Sequence, residues 1–133
     1  MKFNKTRAKH KLLTLWGHVI RARDKNCQWC GRKEGKMDGH HIISKGRCSY
    51  SGMFDLNNGV CLCFRCHRVK METHPVEYRN WLYEWLENKG MSYDDLKLTY
   101  EGAKTYFNKE TYEIKKHILE TELAELSRGR NGS

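Results

Sequence analysis

No apolar run in this sequence approaches the roughly 20 residues needed to cross a bilayer, and the basic N-terminus MKFNKTRAKHK lacks an adjoining apolar stretch of signal-peptide length. Both scarcities argue for a protein that stays where it is made, in a reducing cytoplasm, with no membrane partner. Acidic residues are scarce at one end. Residues 1–36 carry 11 Lys/Arg against 2 Asp/Glu, residues 37–75 carry 5 against 3, and residues 76–133 carry 9 against 11. A solvated polar face needs no such asymmetry, so the basic first half is expected to meet a polyanion, most often nucleic acid. Apart from two cysteine pairs there is no internal repeat, and 133 residues suffice for one domain but not for two ordinary ones.

From Lys5 to Arg23 the apolar residues Leu12, Leu13, Trp16, Val19 and Ile20 recur at three- and four-residue spacing, interleaved with Lys9, Lys11, Arg21 and Arg23. This pattern predicts an amphipathic helix whose basic face is either simply solvated or in contact with phosphate. Gly31, Gly35 and Gly39 break the next stretch, predicting a knuckle and then a short extended segment ending near His40-His41-Ile42-Ile43. Ser44 to Asn58, rich in Gly, Ser and Asn, reads as a long loop, Val60 to Cys63 as a second strand, and Arg65 to Glu72 as the start of a helix. Pro75, the only proline, suits the first turn of a helix over Val76 to Asn88. Its stripe of Tyr78, Trp81, Leu82 and Trp85 reads as core rather than as a base-stacking surface. Ser92 and Asn108 are expected to cap two further helices, and Ser127 to Ser133 to form a disordered tail.

An even cysteine count in a small secreted chain would suggest disulfides, whereas paired Cys-x-x-Cys spacing in the cytosol suggests metal. Cys27-Gln-Trp-Cys30 and Cys63-Phe-Arg-Cys66 are two knuckles whose four thiolates suit one tetrahedral, structural Zn²⁺. The 32 residues between them exceed the usual spacing of simple zinc modules, so something else lies inside the loop that zinc closes. Cys61 is expected to be a buried strand residue and Cys48 a free thiol in the polar loop.

Inside that loop stand His40-His41-Ile42-Ile43, then Leu56-Asn57-Asn58-Gly59-Val60-Cys61-Leu62-Cys63, then Cys66-His67-Arg68. In these motifs the chain resembles the HNH endonuclease family over about Cys27 to Lys70, and it is similar to small free-standing members, often phage-encoded, that carry a four-cysteine zinc site. The resemblance implies a strand-strand-helix fold gripping one catalytic divalent cation, with His41 as general base, Asn58 as the middle Asn and His67 as a metal ligand on the helix. His40 stands where many members have Asp and would be a second ligand. Mg²⁺ or Mn²⁺ is expected, and a site of two imidazoles suits Mn²⁺, Ni²⁺ or Zn²⁺ better than Mg²⁺. Because adjacent strand residues point to opposite faces, the strand must end or bulge at His40-His41 for both to serve; otherwise His40 turns away from the cation.

The expected architecture is α+β and predominantly helical. Residues 1–75 would form a basic helix plus the zinc-bound nuclease core, residues 76–126 a helical annex on the same domain, and residues 127–133 a tail. DNA is the expected partner, with phosphate contacts from Lys9, Lys11, Arg21, Arg23, Lys45 and Arg68. The acidic C-terminal half offers a surface for a homodimer or another protein. Two other readings remain open: a zinc-stabilised nucleic-acid-binding module without catalysis, and a protein-interaction zinc domain.

Overall fold

The computed structural model describes residues 2–101 and 106–129. Helix α1, Lys5–Asp24, starts where Asn4 Oδ1 accepts the Arg7 N–H at 3.0 Å, and buries Ala8, Leu12, Trp16, Val19 and Ile20 along one stripe. That stripe lies on a two-stranded antiparallel sheet of β1, Met37–His41, and β2, Gly59–Cys63, paired in regular register from Met37 opposite Cys63 to His41 opposite Gly59. Gly59 is where the helix comes closest. A Cβ there would lie 2.5 Å from Trp16 Cζ2 and 2.6 Å from Ile20 Cδ1, so any side chain would push α1 off the sheet.

The segment between the strands is not the long loop that its polar composition suggests. It contains α2, Tyr50–Phe54, and a 3₁₀ turn, Leu56–Asn58. Its polar residues bond locally: Ser49 and Ser51 share a hydroxyl hydrogen bond at 2.6 Å, and Asp55 Oδ1 accepts from the Asn57 N–H at 3.0 Å. Gly52, Met53 and Phe54 are buried, which turns a Gly- and Ser-rich sequence into packed structure. Cys48 is a free thiol, as expected, and is buried, and Cys61 is fully buried in β2.

After β2 a π-helical segment, Cys66–Lys70, runs into the turn Met71–Thr73, together α3. Pro75 opens α4, Pro75–Asn88. Only Leu82 and Leu86 of α4 are buried, while Tyr78, Trp81 and Trp85 lie half-exposed against the first knuckle: the indole N–H groups of Trp81 and Trp85 donate to the Gln28 backbone and side-chain oxygens at 3.0 and 3.1 Å. Ser92 caps α5, Tyr93–Tyr100, and Asn108 with Thr111 forms a reciprocal cap for α6, Lys109–Ser127, which packs along α1. Ser127 belongs to α6 rather than to a tail; residues 130–133 lie outside the described residues. The result is an α+β fold, mostly helical, and among the described residues no helix is long and apolar enough to cross a membrane.

Candidate active site and zinc centre

The two knuckles bring their cysteines together. The sulfur atoms of Cys27, Cys30, Cys63 and Cys66 all lie within 4.8 Å of one another, and the Cys30 and Cys63 sulfurs are 3.7 Å apart. Four sulfurs at about 2.3 Å from a tetrahedral Zn²⁺ would stand about 3.8 Å from each other, so the cluster fits the ion. In each knuckle the second cysteine's N–H points at the first one's sulfur, Cys30 to Cys27 at 3.5 Å and Cys66 to Cys63 at 3.4 Å. Burial raises the Cys27 thiol, but backbone N–H groups outweigh it and bring it down to about 7; burial drives Cys66 upward. Four thiolates crowded in this way need a cation to coexist.

Beside the zinc centre, α1, β1 and α3 enclose an open cleft of about 550 Å³. Asp38 and His40, two residues apart on β1, share a face, and His67 reaches that face from α3. His67 Nδ1 lies 3.0 Å from Asp38 Oδ2. A carboxylate only accepts, so Nδ1 carries the hydrogen and Nε2 keeps a free lone pair. The His40 ring meets that of His67 edge-on at 5.0 Å, and its Nε2 shares a 2.7 Å hydrogen bond with the Tyr78 hydroxyl of α4. Burial, then the neighbouring His67 and His41, lower His40 to about 3, which keeps it a neutral imidazole.

β1 is regular up to His41 and ends there, so no bulge is needed for the two histidines to border one cleft. The His41 ring stacks on Trp16 at 3.9 Å, nearly parallel, and its Nε2 lies 2.7 Å from the Met53 carbonyl oxygen. The carbonyl can only accept, which places the hydrogen on Nε2 and leaves Nδ1 as the basic nitrogen. Burial lowers the His41 pKa against the opposing pull of the Met53 carbonyl, with Lys45 and His67 adding to the lowering.

Asn58 is fully buried. Its Oδ1 accepts from Ile43 N–H at 2.7 Å, and its Nδ2 donates to the carbonyls of Ile43 and Gly52 at 3.0 and 2.9 Å. These bonds suit bracing rather than contact with a cation, because they clamp the end of β1 to α2, where Met53 sits.

The basic residues divide. Arg21, Lys45 and Arg68 line the cleft. Lys11 instead borders a groove between α1 and α6, and Lys9 is half-buried. Arg23 is committed internally: four N–H···O bonds tie it to Asp24 and to the carbonyls of Leu56 and Gly59. Sequence reasoning missed Asp38, although its position two residues before His40 gave a signal. It also took Tyr78 for core alone, and the Met53 carbonyl leaves no trace in sequence.

Residues 27–72, from the first knuckle through the second and on into α3, match the family model for HNH endonuclease. The four cysteines positioned for zinc lie within this matched stretch and are consistent with that family. No curated protein and no solved structure matches the chain.

Proposed function

We propose that the protein is a DNA endonuclease that hydrolyses phosphodiester bonds with the help of a divalent cation. The observation that carries this reading is the fixed His41 imidazole, whose Nδ1 is left basic beside the Asp38, His40 and His67 face of a cationic cleft. The HNH match over residues 27–72 supports the same class of activity.

In this reading Arg21, Lys45 and Arg68 bind the backbone phosphates and hold the scissile one over the cleft floor. His41 Nδ1 takes a proton from water as the water oxygen bonds to phosphorus, and the bond from phosphorus to the leaving oxygen breaks. The leaving oxygen is then protonated from solvent, and His41 later returns its own proton to solvent. A cation held by His40 and His67, Mg²⁺ or Mn²⁺ or, with two imidazoles, Ni²⁺ or Zn²⁺, would neutralise charge on the phosphate and leaving oxygen. Asp38 fixes the His67 tautomer, Tyr78 orients His40, and Asn58 holds the backbone that orients His41. Residues 1–75 would carry the nuclease, and α4 from the 76–126 segment would brace it through Tyr78 and the two indoles on Gln28.

The test is incubation of the purified protein with supercoiled plasmid in a series of divalent cations. Nicked circles that appear only with added cation are expected. Binding without cleavage under every cation would support the non-catalytic module instead.

A further inference from the structure

Helix α3 separates two basic depressions. His67 and Arg68 line the cleft on one side, while Arg65, Val69 and Lys70 line a second groove of about 570 Å³ on the other. Cys30, Cys63 and Cys66 of the zinc knuckles also line the second groove, together with Arg32, two residues after the first knuckle. No carboxylate lines it, and none forms an ion pair with Arg32, Arg65 or Lys70 among the described residues. Lys70 Nζ is held 4.2 Å over the Trp29 ring, and Val69 of α3 and Phe64 just before it are each 49% exposed. Unneutralised cations on a metal-braced frame form a site for an extended anion rather than a folding device.

The spacing narrows the choice of anion. The two grooves share no lining residue and stand one helix apart. A helix with its side chains is about 10–12 Å across, the scale of the gap between the two backbones that border a duplex groove. We propose that the second groove takes the phosphate backbone of the strand opposite the one held in the cleft, so that the protein prefers duplex DNA to a single strand. This rests on the DNA reading above but not on cleavage.

The experiment is fluorescence anisotropy of a short labelled duplex and of one of its strands, titrated with full-length protein at several salt concentrations without added divalent cation. The Arg32→Gln/Arg65→Gln variant should lower duplex affinity by about tenfold and flatten the salt dependence by about two phosphate contacts, and each single change by about threefold and one contact, with single-strand affinity within about twofold of wild type throughout. Lys45→Gln/Arg68→Gln in the cleft should weaken both ligands. Zinc content and melting temperature should match wild type, since Arg32 and Arg65 are exposed. Equal losses on duplex and single strand, or no loss on either, would overturn the second-strand assignment. A wild-type protein that binds duplex here yet nicks no plasmid under any added divalent cation would defeat only the catalytic reading; one that binds neither ligand would defeat both.

Discussion

The His41 Nε2 and the Met53 carbonyl oxygen lie 2.7 Å apart, coupling the group best placed to take a proton to a short buried helix with no other part in the site. Asn58 maintains that coupling, because its amide holds Ile43, two residues after His41, to Gly52, one residue before Met53. Asn58→Ala would leave two carbonyls and one N–H without partners in a buried place. A loss of about 2–4 kcal/mol in urea unfolding is expected, together with slower cleavage by the molecules that remain folded.

Asp38 acts through His67. Asp38→Asn keeps the size of the side chain but removes the charge that fixes the imidazole tautomer, so cleavage should fall about 10–100-fold. Raising the divalent cation concentration should recover part of the loss while the melting temperature stays near wild type. A cleavage rate unaffected by Asp38→Asn would assign the contact to packing alone.

Arg21 and Arg23, two residues apart on α1, should behave oppositely. Arg21→Ala removes a cation from the cleft and should weaken DNA binding, flattening the salt dependence by about one phosphate, with stability unchanged. Arg23→Ala leaves the Asp24 carboxylate, only 2% exposed, without its ion-pair partner, and should cost about 3–5 kcal/mol of stability. Binding and denaturation measured on both variants test the division.

Much of this was legible in the sequence because the signals were local. Three- and four-residue spacing located α1, Pro75 located α4, and two cysteine pairs located the zinc centre. The segment from Ser44 to Asn58 departs from the open loop its composition suggests because Gly and Ser also permit close packing. Gly52 is there for contact: a Cβ would lie 2.7 Å from Cys48 Cβ and 2.8 Å from Tyr100 Cγ, and Tyr100 is far away in sequence. Arg23 was misread for a similar reason, since its carbonyl partners at Leu56 and Gly59 come from the other end of the core. Charge composition cannot distinguish an arginine that meets solvent from one that meets backbone.

In the proposed function Cys66 and His67 are neighbours with separate tasks. Cys66→Ser should lower zinc content and thermal stability, since the thiolate belongs to the cluster that closes the whole loop. His67→Ala should leave both nearly unchanged and remove cleavage. Mild chelation should likewise stop cleavage without altering circular dichroism, and added Mg²⁺ or Mn²⁺ should restore it. Full stability and zinc content in Cys66→Ser would argue against a structural zinc, and an active His67→Ala against the second cation.

The most direct measurement of the central claim is plasmid nicking by His41→Ala beside wild type, with zinc content, melting temperature and DNA affinity measured on the same preparations. The account predicts a folded, zinc-loaded, DNA-binding variant whose nicking rate has fallen by about 10²–10⁴-fold, the range of a lost general base. Nicking by that folded variant at close to the wild-type rate would contradict it.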